Sequence, residues 1–218
     1  MKDRWKVRKQ PEEEVVAGVV VDISMSLDGF VAGPDDGLGR GLGQGGEPIH
    51  NWVMGGAWTY DEGTPFQATG VDREVMDQVF SAAGAVIVGR RMYDVVDGWG
   101  DESPFDLPVF VVTSRPHPPR TVGATSYTFV TDGIQAALRQ AQDAAGDKTV
   151  SVGGGARVVQ QFLAAGLVDE MQIHVAPVLL GGGKRLFEHF GGTMPRLEQL
   201  RVRESPHATH IRYQLTWV

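Results

Sequence analysis

Three short stretches of the chain share one chemistry: Gly89-Arg90-Arg91, Thr113-Ser114-Arg115 and Gly153-Gly154-Gly155-Ala156-Arg157. Each follows an apolar run (AVIV at 85–88, VFVV at 109–112, TVSV at 149–152) that reads as a buried strand. The third stretch is the most complete. After its glycines, Val158, Val159, Phe162 and Leu163 recur at helical spacing, and Gly166 stops the helix. A strand that turns through glycine into a helix aims free backbone N–H groups at an anion. A Cβ in such a turn would block the approach of a phosphate. Arg157, in the first helical turn, opposes the helix dipole, and a ligand explains it better than the helix does. A tight turn with nothing bound is the competing reading of this segment alone.

Alternating strands and helices imply a mainly parallel sheet covered on both faces. In such a sheet the carboxyl ends of the strands share one edge, and ligands bind there. Arg90, Arg91, Arg115 and Arg157 would then gather at one rim of an acidic protein. The guanidinium fork suits phosphate, and each charge-assisted bond contributes roughly 1.5–3 kcal/mol. Four arginines with two helix starts fit a ligand carrying several phosphates, such as NADPH with its pyrophosphate and separate 2′-phosphate. Other phosphate motifs fit poorly. The glycine triplet matches G-x-G-x-x-G at two glycines only, with Val158 in the third place, and no P-loop lysine follows. No G-x-S-x-G elbow is present. The six histidines are scattered without metal-ligand spacing, and His207 and His210 read as surface residues of a hairpin.

The elements that position these residues follow in order. Residues 1–14 pass from basic to acidic and read as a tail. Val15 to Ile23 reads as a central strand. Asp28-Gly29 and Pro34-Asp35 signal turns, and GLGRGLGQGG at 37–46 holds no regular structure. Trp52, Met54 and Trp58 follow on a loop-like segment, either as a lid over a pocket or as an anchor for an ordinary loop. Asp72 is placed to N-cap a helix faced by Val75, Met76, Val79 and Phe80 and ended by Gly84. Asp132 is placed to cap a second helix, 133–145. Residues 121–130 alternate weakly, as a short strand would. Met171, Ile173 and Val175 alternate with Gln172 and His174 in a strand with one more polar face. The chain closes on two antiparallel strands, with Ile211, Tyr213, Leu215 and Trp217 inward and His210, Arg212, Gln214 and Thr216 outward.

Composition narrows the function. A single domain over 15–218 is expected, with a glycine-rich insertion at about 37–64. Net charge of −7 argues against nucleic acid, and the pI is about 5.3. With no cysteine, disulfides, thiolate metal sites and cysteine nucleophiles are excluded. No stretch approaches a membrane span, so a cytoplasmic protein is expected.

The motifs MSLDGFVA, VIVGRRMYD, PVFVVTSRP and VSVGGGARVVQQFLAAGLVDEMQIHVAPVLLGGGKRLF, with the closing hairpin, resemble the dihydrofolate reductase-like superfamily. Within it they are similar to the reductase domain at the C-terminus of bifunctional riboflavin-biosynthesis proteins. The resemblance spans about residues 15–218. It implies an α/β fold of three layers: a mostly parallel central sheet, helices on both faces and an antiparallel C-terminal hairpin. It also implies NADPH across the strand ends, and commonly a homodimer. By resemblance, Gly89, Arg90 and Arg91 lie near the cofactor's phosphates, and Thr113, Ser114 and Arg115 hold the 2′-phosphate side. Gly153, Gly154, Gly155, Ala156, Arg157 and Val158 wrap the pyrophosphate, and the loop at Ser26 to Gly29 borders the nicotinamide and substrate. The deaminase half of the bifunctional proteins needs a P-C-x-x-C pair, which a cysteine-free chain lacks.

Hydride transfer is chemistry the cofactor brings, and reduction of C=N or C=O also needs a proton. Asp72 stands near the place where dihydrofolate reductases carry an acid at the start of their first helix. Asp28 is the other candidate. The competing roles are structural, a helix cap for Asp72 and a turn for Asp28. Trp52, Trp58, Phe66 and Trp99 are candidates for a dry substrate wall. The expected activity is NADPH-dependent reduction of a small heteroaromatic or carbonyl substrate. The alternatives are a nucleotide- or flavin-binding protein without turnover and a purely structural dimer.

Overall fold

A computed structural model describes residues 18–60, 66–189, 191 and 194–217 and places the valine-rich runs side by side in one nine-stranded sheet. The expected tail at 1–14 and the 61–64 end of the expected insertion lie outside these residues. The strands are β1 (Val19–Ser26), β2 (Phe30–Ala32), β3 (Ala83–Gly89), β4 (Val109–Val112), β5 (Arg120–Val122), β6 (Thr125–Val130), β7 (Thr149–Gly154), β8 (Glu170–Ala176), β9 (Lys184–Arg185), β10 (Arg196–Glu204) and β11 (Thr209–Thr216). The helices are α1 (Asn51–Met54), α2 (Gly70–Ala82), α3 (Arg90–Val95), α4 (Ile134–Ala145) and α5 (Ala156–Ala164). The sheet order is β10-β11-β8-β1-β7-β3-β4-β6-β5, and β2 pairs with β9 apart from it. From β8 to β6 every pairing is parallel, while β11, β10 and β5 add antiparallel edges.

Alternation along the strands divides the core into layers. Val19, Val21 and Ile23 of β1 and Ala85 and Ile87 of β3 pack against α4 and α5, with Phe162 and Ala141 fully buried. On the other face, Val86, Val88, Val109 and Val111 pack with Tyr93 and Tyr127. Trp52, Val53, Met76 and Ala208 form a third cluster under α1 and α2. Burial on both faces explains why β3 and β4 read as continuous apolar runs.

Several local expectations are corrected. Thr69, not Asp72, is the N-cap of α2, and Asp72 lies within the first turn. The helix ends at Ala82, and Gly84 sits inside β3, where a Cβ would stand 2.7 Å from Ala145 O. Gly133 rather than Asp132 precedes α4. The Trp52–Met54 segment is helical. Residues 120–130 make a hairpin of two strands. The glycine run at 37–46 holds no long element but folds tightly on itself: Gly33 N–H donates to Leu42 O and Gln44 N–H to Pro34 O. A Cβ on Gly46 would stand 1.8 Å from Leu42 O, so this glycine serves backbone-to-backbone contact.

Candidate active site

The parallel order β7-β3-β4 brings the three glycine- and arginine-bearing strand ends to one rim. Gly89, at the end of β3, is the link to α5: a Cβ there would stand 2.9 Å from Val158 Cγ2 and 3.6 Å from Gly155 N. The peptide between Gly154 and Gly155 is cis, and Gly154 has φ +124. Gly155 faces open space, so a ligand can approach the backbone there. No side chain caps the start of α5, and its first turn closes with the Val158 N–H donating to Gly155 O at 3.0 Å, so the N–H groups of Ala156 and Arg157 before it are those a ligand would meet. Arg157 is exposed beside them, and among the described residues its side chain makes no ion pair.

Arg90 and Arg115 come together on Asp94. Arg90 Nε donates to Asp94 Oδ1 at 2.6 Å, and Arg115 Nη2 donates to Asp94 Oδ2 at 3.0 Å. Arg90 also lies over the rings of Tyr93 and Phe129, at 5.9 and 5.6 Å. The buried Thr113 shapes the turn after β4, its Oγ1 accepting the Arg115 N–H at 3.0 Å. Ser114 is exposed on the same turn.

Arg91 departs from the expected cluster. Its guanidinium forks onto Asp36, with Nε to Oδ2 at 2.8 Å and Nη2 to Oδ1 at 2.7 Å, and Lys184 Nζ lies 3.5 Å from the same carboxylate. The Arg91 hydrogen bond holds the Asp36 carboxyl below its usual range. Arg91 thus ties the glycine-rich loop to α3 instead of facing the rim. α3 has six residues, too short for much dipole at its start.

Asp28 is a structural latch. Its carboxylate accepts Ser26 Oγ–H at 2.6 Å, Gly181 N–H at 2.7 Å and Leu180 N–H at 3.1 Å. The Ser26 hydroxyl and those amides pull its pKa down to about 2, so it stays ionised and is a poor proton donor. It joins the turn after β1 to the loop after β8, and β2 and β9 pair beside it.

Asp72 has a different environment. Its side chain is 3% exposed, and Oδ1 lies 2.8 Å from His210 Nε2. His210 Nδ1 faces His174 Nδ1 at 2.6 Å, and His174 Nε2 lies 3.3 Å from Asp22 Oδ2. Both rings are buried, because β8 and β11 pair with His174 opposite His210 and α2 covers that face. The outward placement of His210 is therefore overturned, and the polar face of β8 is an interior one. Burial lowers the His210 pKa, with His174 adding to the effect and Asp72 opposing it. Trp52 seals the group. Its indole centroid lies 4.3 Å from His174 and 5.2 Å from His210, and its Nε1–H donates to Ser24 Oγ at 2.8 Å. At 5% exposure Trp52 is an anchor, not a lid. Trp58 packs on His50, whereas Trp99 meets Phe105 edge-on and stacks with Tyr127 in the separate cluster near β4 and β6. Phe66 is exposed. The expected aromatic wall is therefore not assembled as one surface. The His174–His210 pair went unseen in the sequence because its two members become neighbours only through strand pairing.

A mostly parallel sheet with this strand order, helices on both faces and antiparallel C-terminal strands defines a dihydrofolate reductase-like α/β protein. The chain belongs to the RibD C-terminal domain family, whose pattern matches residues 17–211. It is 28% identical over 169 residues to YwjB of Bacillus subtilis (strain 168), an uncharacterized protein, covering 77% of this chain and 81% of that one. Among solved structures it resembles a putative riboflavin biosynthesis protein from Shewanella sp. PV-4, with TM-score 0.64, 21% identity, and coverage of 92% of this chain and 99% of that one. Acinetobacter baumannii RibD matches with TM-score 0.58 and 19% identity over 92% of this chain, which spans 58% of that protein. Dihydrofolate reductase from Enterococcus faecalis, solved with NADP(H), matches with TM-score 0.52 and 13% identity over 92% of this chain and 98% of that one.

Proposed function

We propose that this protein is an NADPH-dependent reductase of a small substrate, heteroaromatic like a pterin or pyrimidine, or a carbonyl compound. The observation that carries the reading is the convergence of Arg90 and Arg115 on Asp94, beside a glycine turn open to a ligand at Gly155. The residues present fit the group. The open turn and the first amides of α5 would receive a pyrophosphate, with Arg157 adding charge. Thr113, Ser114 and Arg115 would hold the 2′-phosphate, with Arg90 behind them. Arg91, committed to Asp36, contributes only by fixing the neighbouring loop. Membership of a family that includes RibD reductase domains supports a reductase-type function. When bound, NADPH supplies the hydride. The chain's own part is to bind, orient and exclude water, with the Ser26–Gly29 turn bordering the substrate and the Asp28 latch keeping that turn in place.

A second reading, a nucleotide- or flavin-binding protein without turnover, is favoured by two observations: Asp28 is held ionised and Asp72 is nearly closed from solvent. Fluorescence titration with NADPH and NADH, followed by loss of NADPH absorbance with pterin, pyrimidine and quinone substrates, separates the two. Turnover with any of these supports the reductase. NADPH binding without turnover on all of them selects the second reading, and failure to bind either nucleotide removes the reductase.

A further inference from the structure

Asp22, His174, His210 and Asp72 form one continuous chain of three hydrogen bonds, at 3.3, 2.6 and 2.8 Å. Each bond requires one proton between its two heavy atoms. Two neutral imidazoles bring two protons, and two ionised carboxylates bring none. The third must be taken from solvent. It can sit on either imidazole, making that ring an imidazolium, or on either carboxyl, and every arrangement leaves the chain with a net charge of −1 rather than −2. Leaving one bond without its proton would place two lone pairs face to face in the interior, which is costly. From this geometry we infer that the four side chains store one excess proton and form a relay that supplies the proton accompanying hydride transfer.

The placement of the two ends supports a relay over a closed knot. Asp72 lies in the first turn of α2, which starts on the side of the strand carboxyl ends. Asp22 lies two residues before Ser24 on β1 and opens onto a cleft lined by Gln78, Ser151, Gln172 and Arg212. Its side chain is 19% exposed, whereas both imidazoles are at 0%. Water therefore reaches the chain at Asp22, and Trp52 seals the imidazoles. The other ionisable groups around the chain are accounted for. Arg212 is paired with Glu170 across β11 and β8. Arg203 of β10 is paired with Glu74 of α2. Arg201 lines the cleft with Asp22. His50, before α1, is held neutral by burial and by His174, its pKa pushed down to about 4. Burial lowers the pKa of His210 and so disfavours that ring as the seat of the extra proton.

The catalytic half of the inference rests on the reductase reading. In that reaction hydride adds to the carbon of a C=N or C=O bond. The π electrons move to nitrogen or oxygen, which takes the stored proton. The chain passes from −1 to −2, and Asp22 restores it from water.

The charge can be read without any substrate. In Asp72→Asn the new amide N–H donates to His210 Nε2, all three bonds form with neutral rings, and the chain keeps its charge of −1. Native electrophoretic mobility at pH 7 should therefore equal that of the wild type. Asp22→Asn, at the open end of the chain, should behave the same way. Asp132→Asn, an exposed control, should lose one negative charge. In urea all three variants should differ from the wild type by one charge. A native one-charge shift in Asp72→Asn or Asp22→Asn, matching the control, would overturn the stored proton. If neither variant folds, as judged by circular dichroism, the wild type serves. Its folding should take up one proton, so above the unfolded histidine pKa of about 6.5 the folding constant should fall tenfold per pH unit. A flat dependence there overturns the idea. For the relay, Asp22→Asn should lower kcat while KM and NADPH affinity stay unchanged, and an unchanged kcat removes the relay but not the store. Failure of NADPH to bind sinks the reductase reading and leaves the mobility result standing.

Discussion

Arg90 and Arg115, delivered by two neighbouring strands, share the two oxygens of Asp94 at 2.6 and 3.0 Å. The shared acid lets two like charges sit side by side and fixes both guanidinium planes before any ligand arrives. Arg115 is 69% exposed, so its bond to Asp94 contributes little to stability and leaves it available to a phosphate. Arg115→Ala should weaken NADPH binding about 10- to 100-fold, from a charge-assisted bond of roughly 1.5–3 kcal/mol. NADH, without the 2′-phosphate, should lose much less. Fluorescence titration with both nucleotides reads the difference, and equal losses would remove the 2′-phosphate assignment from this residue.

The rim was legible because its signal is local. An apolar run, a glycine and an arginine stand within a few residues, and parallel order brings such ends together. The Asp22–Asp72 chain was not legible in the same way. Asp72 and His210 are 138 residues apart, and their meeting depends on β11 pairing with β8 in one register. Alternation predicted which residues of β11 share a face, but not that α2 would cover the face carrying His210. The sequence left Trp52 open between lid and anchor for a related reason. It stands between the glycine run and Gly55-Gly56, whereas its partners Ser24 and His174 come from two distant strands, β1 and β8. The glycine run at 37–46 reads as irregular chain, yet Gly43 and Gly46 are there because backbones touch.

Asp28 should matter for loop attachment and not for proton donation. Its folded pKa, about 2, lies below the ordinary 3.8, so the latch contributes stability above pH 3.8 and loses it as pH falls towards 2. Asp28→Ala should lower the Tm at pH 7, and the gap from the wild type should narrow as pH falls from 4 towards 2. The shape of the pH–rate profile should stay the same. A lost limb in that profile would return Asp28 to the list of proton donors.

Trp52 is 5% exposed and packs on both imidazoles. Removing it leaves a cavity over a polar chain. Trp52→Ala should cost about 3–5 kcal/mol in urea denaturation. Trp52→Phe keeps much of the apolar bulk but leaves Ser24 Oγ without its indole donor, a loss of about 1 kcal/mol from the bond, with a smaller cavity term added. A lid residue would behave differently, with stability unchanged and substrate KM raised. Unchanged stability in Trp52→Ala would restore the lid.

His50 gives the acid side of the stability curve. It packs edge-on against Trp58 at 5.0 Å, and burial pushes its pKa down to about 4 from 6.5, with His174 adding to the shift. Between these two values the unfolded chain binds a proton at this position that the folded chain refuses. Stability therefore falls as pH drops from about 6.5 to about 4, and it is unaffected by His50 above that window. The stored proton acts with the opposite sign, because there the folded state binds more. His50→Gln removes only the first effect. Urea midpoints measured from pH 4 to 8 should show a shallower acid limb in the variant and the same decline on the alkaline side. Parallel curves across the whole range would mean that His50 titrates alike folded and unfolded, and that its packing against Trp58 does not exclude the charged ring.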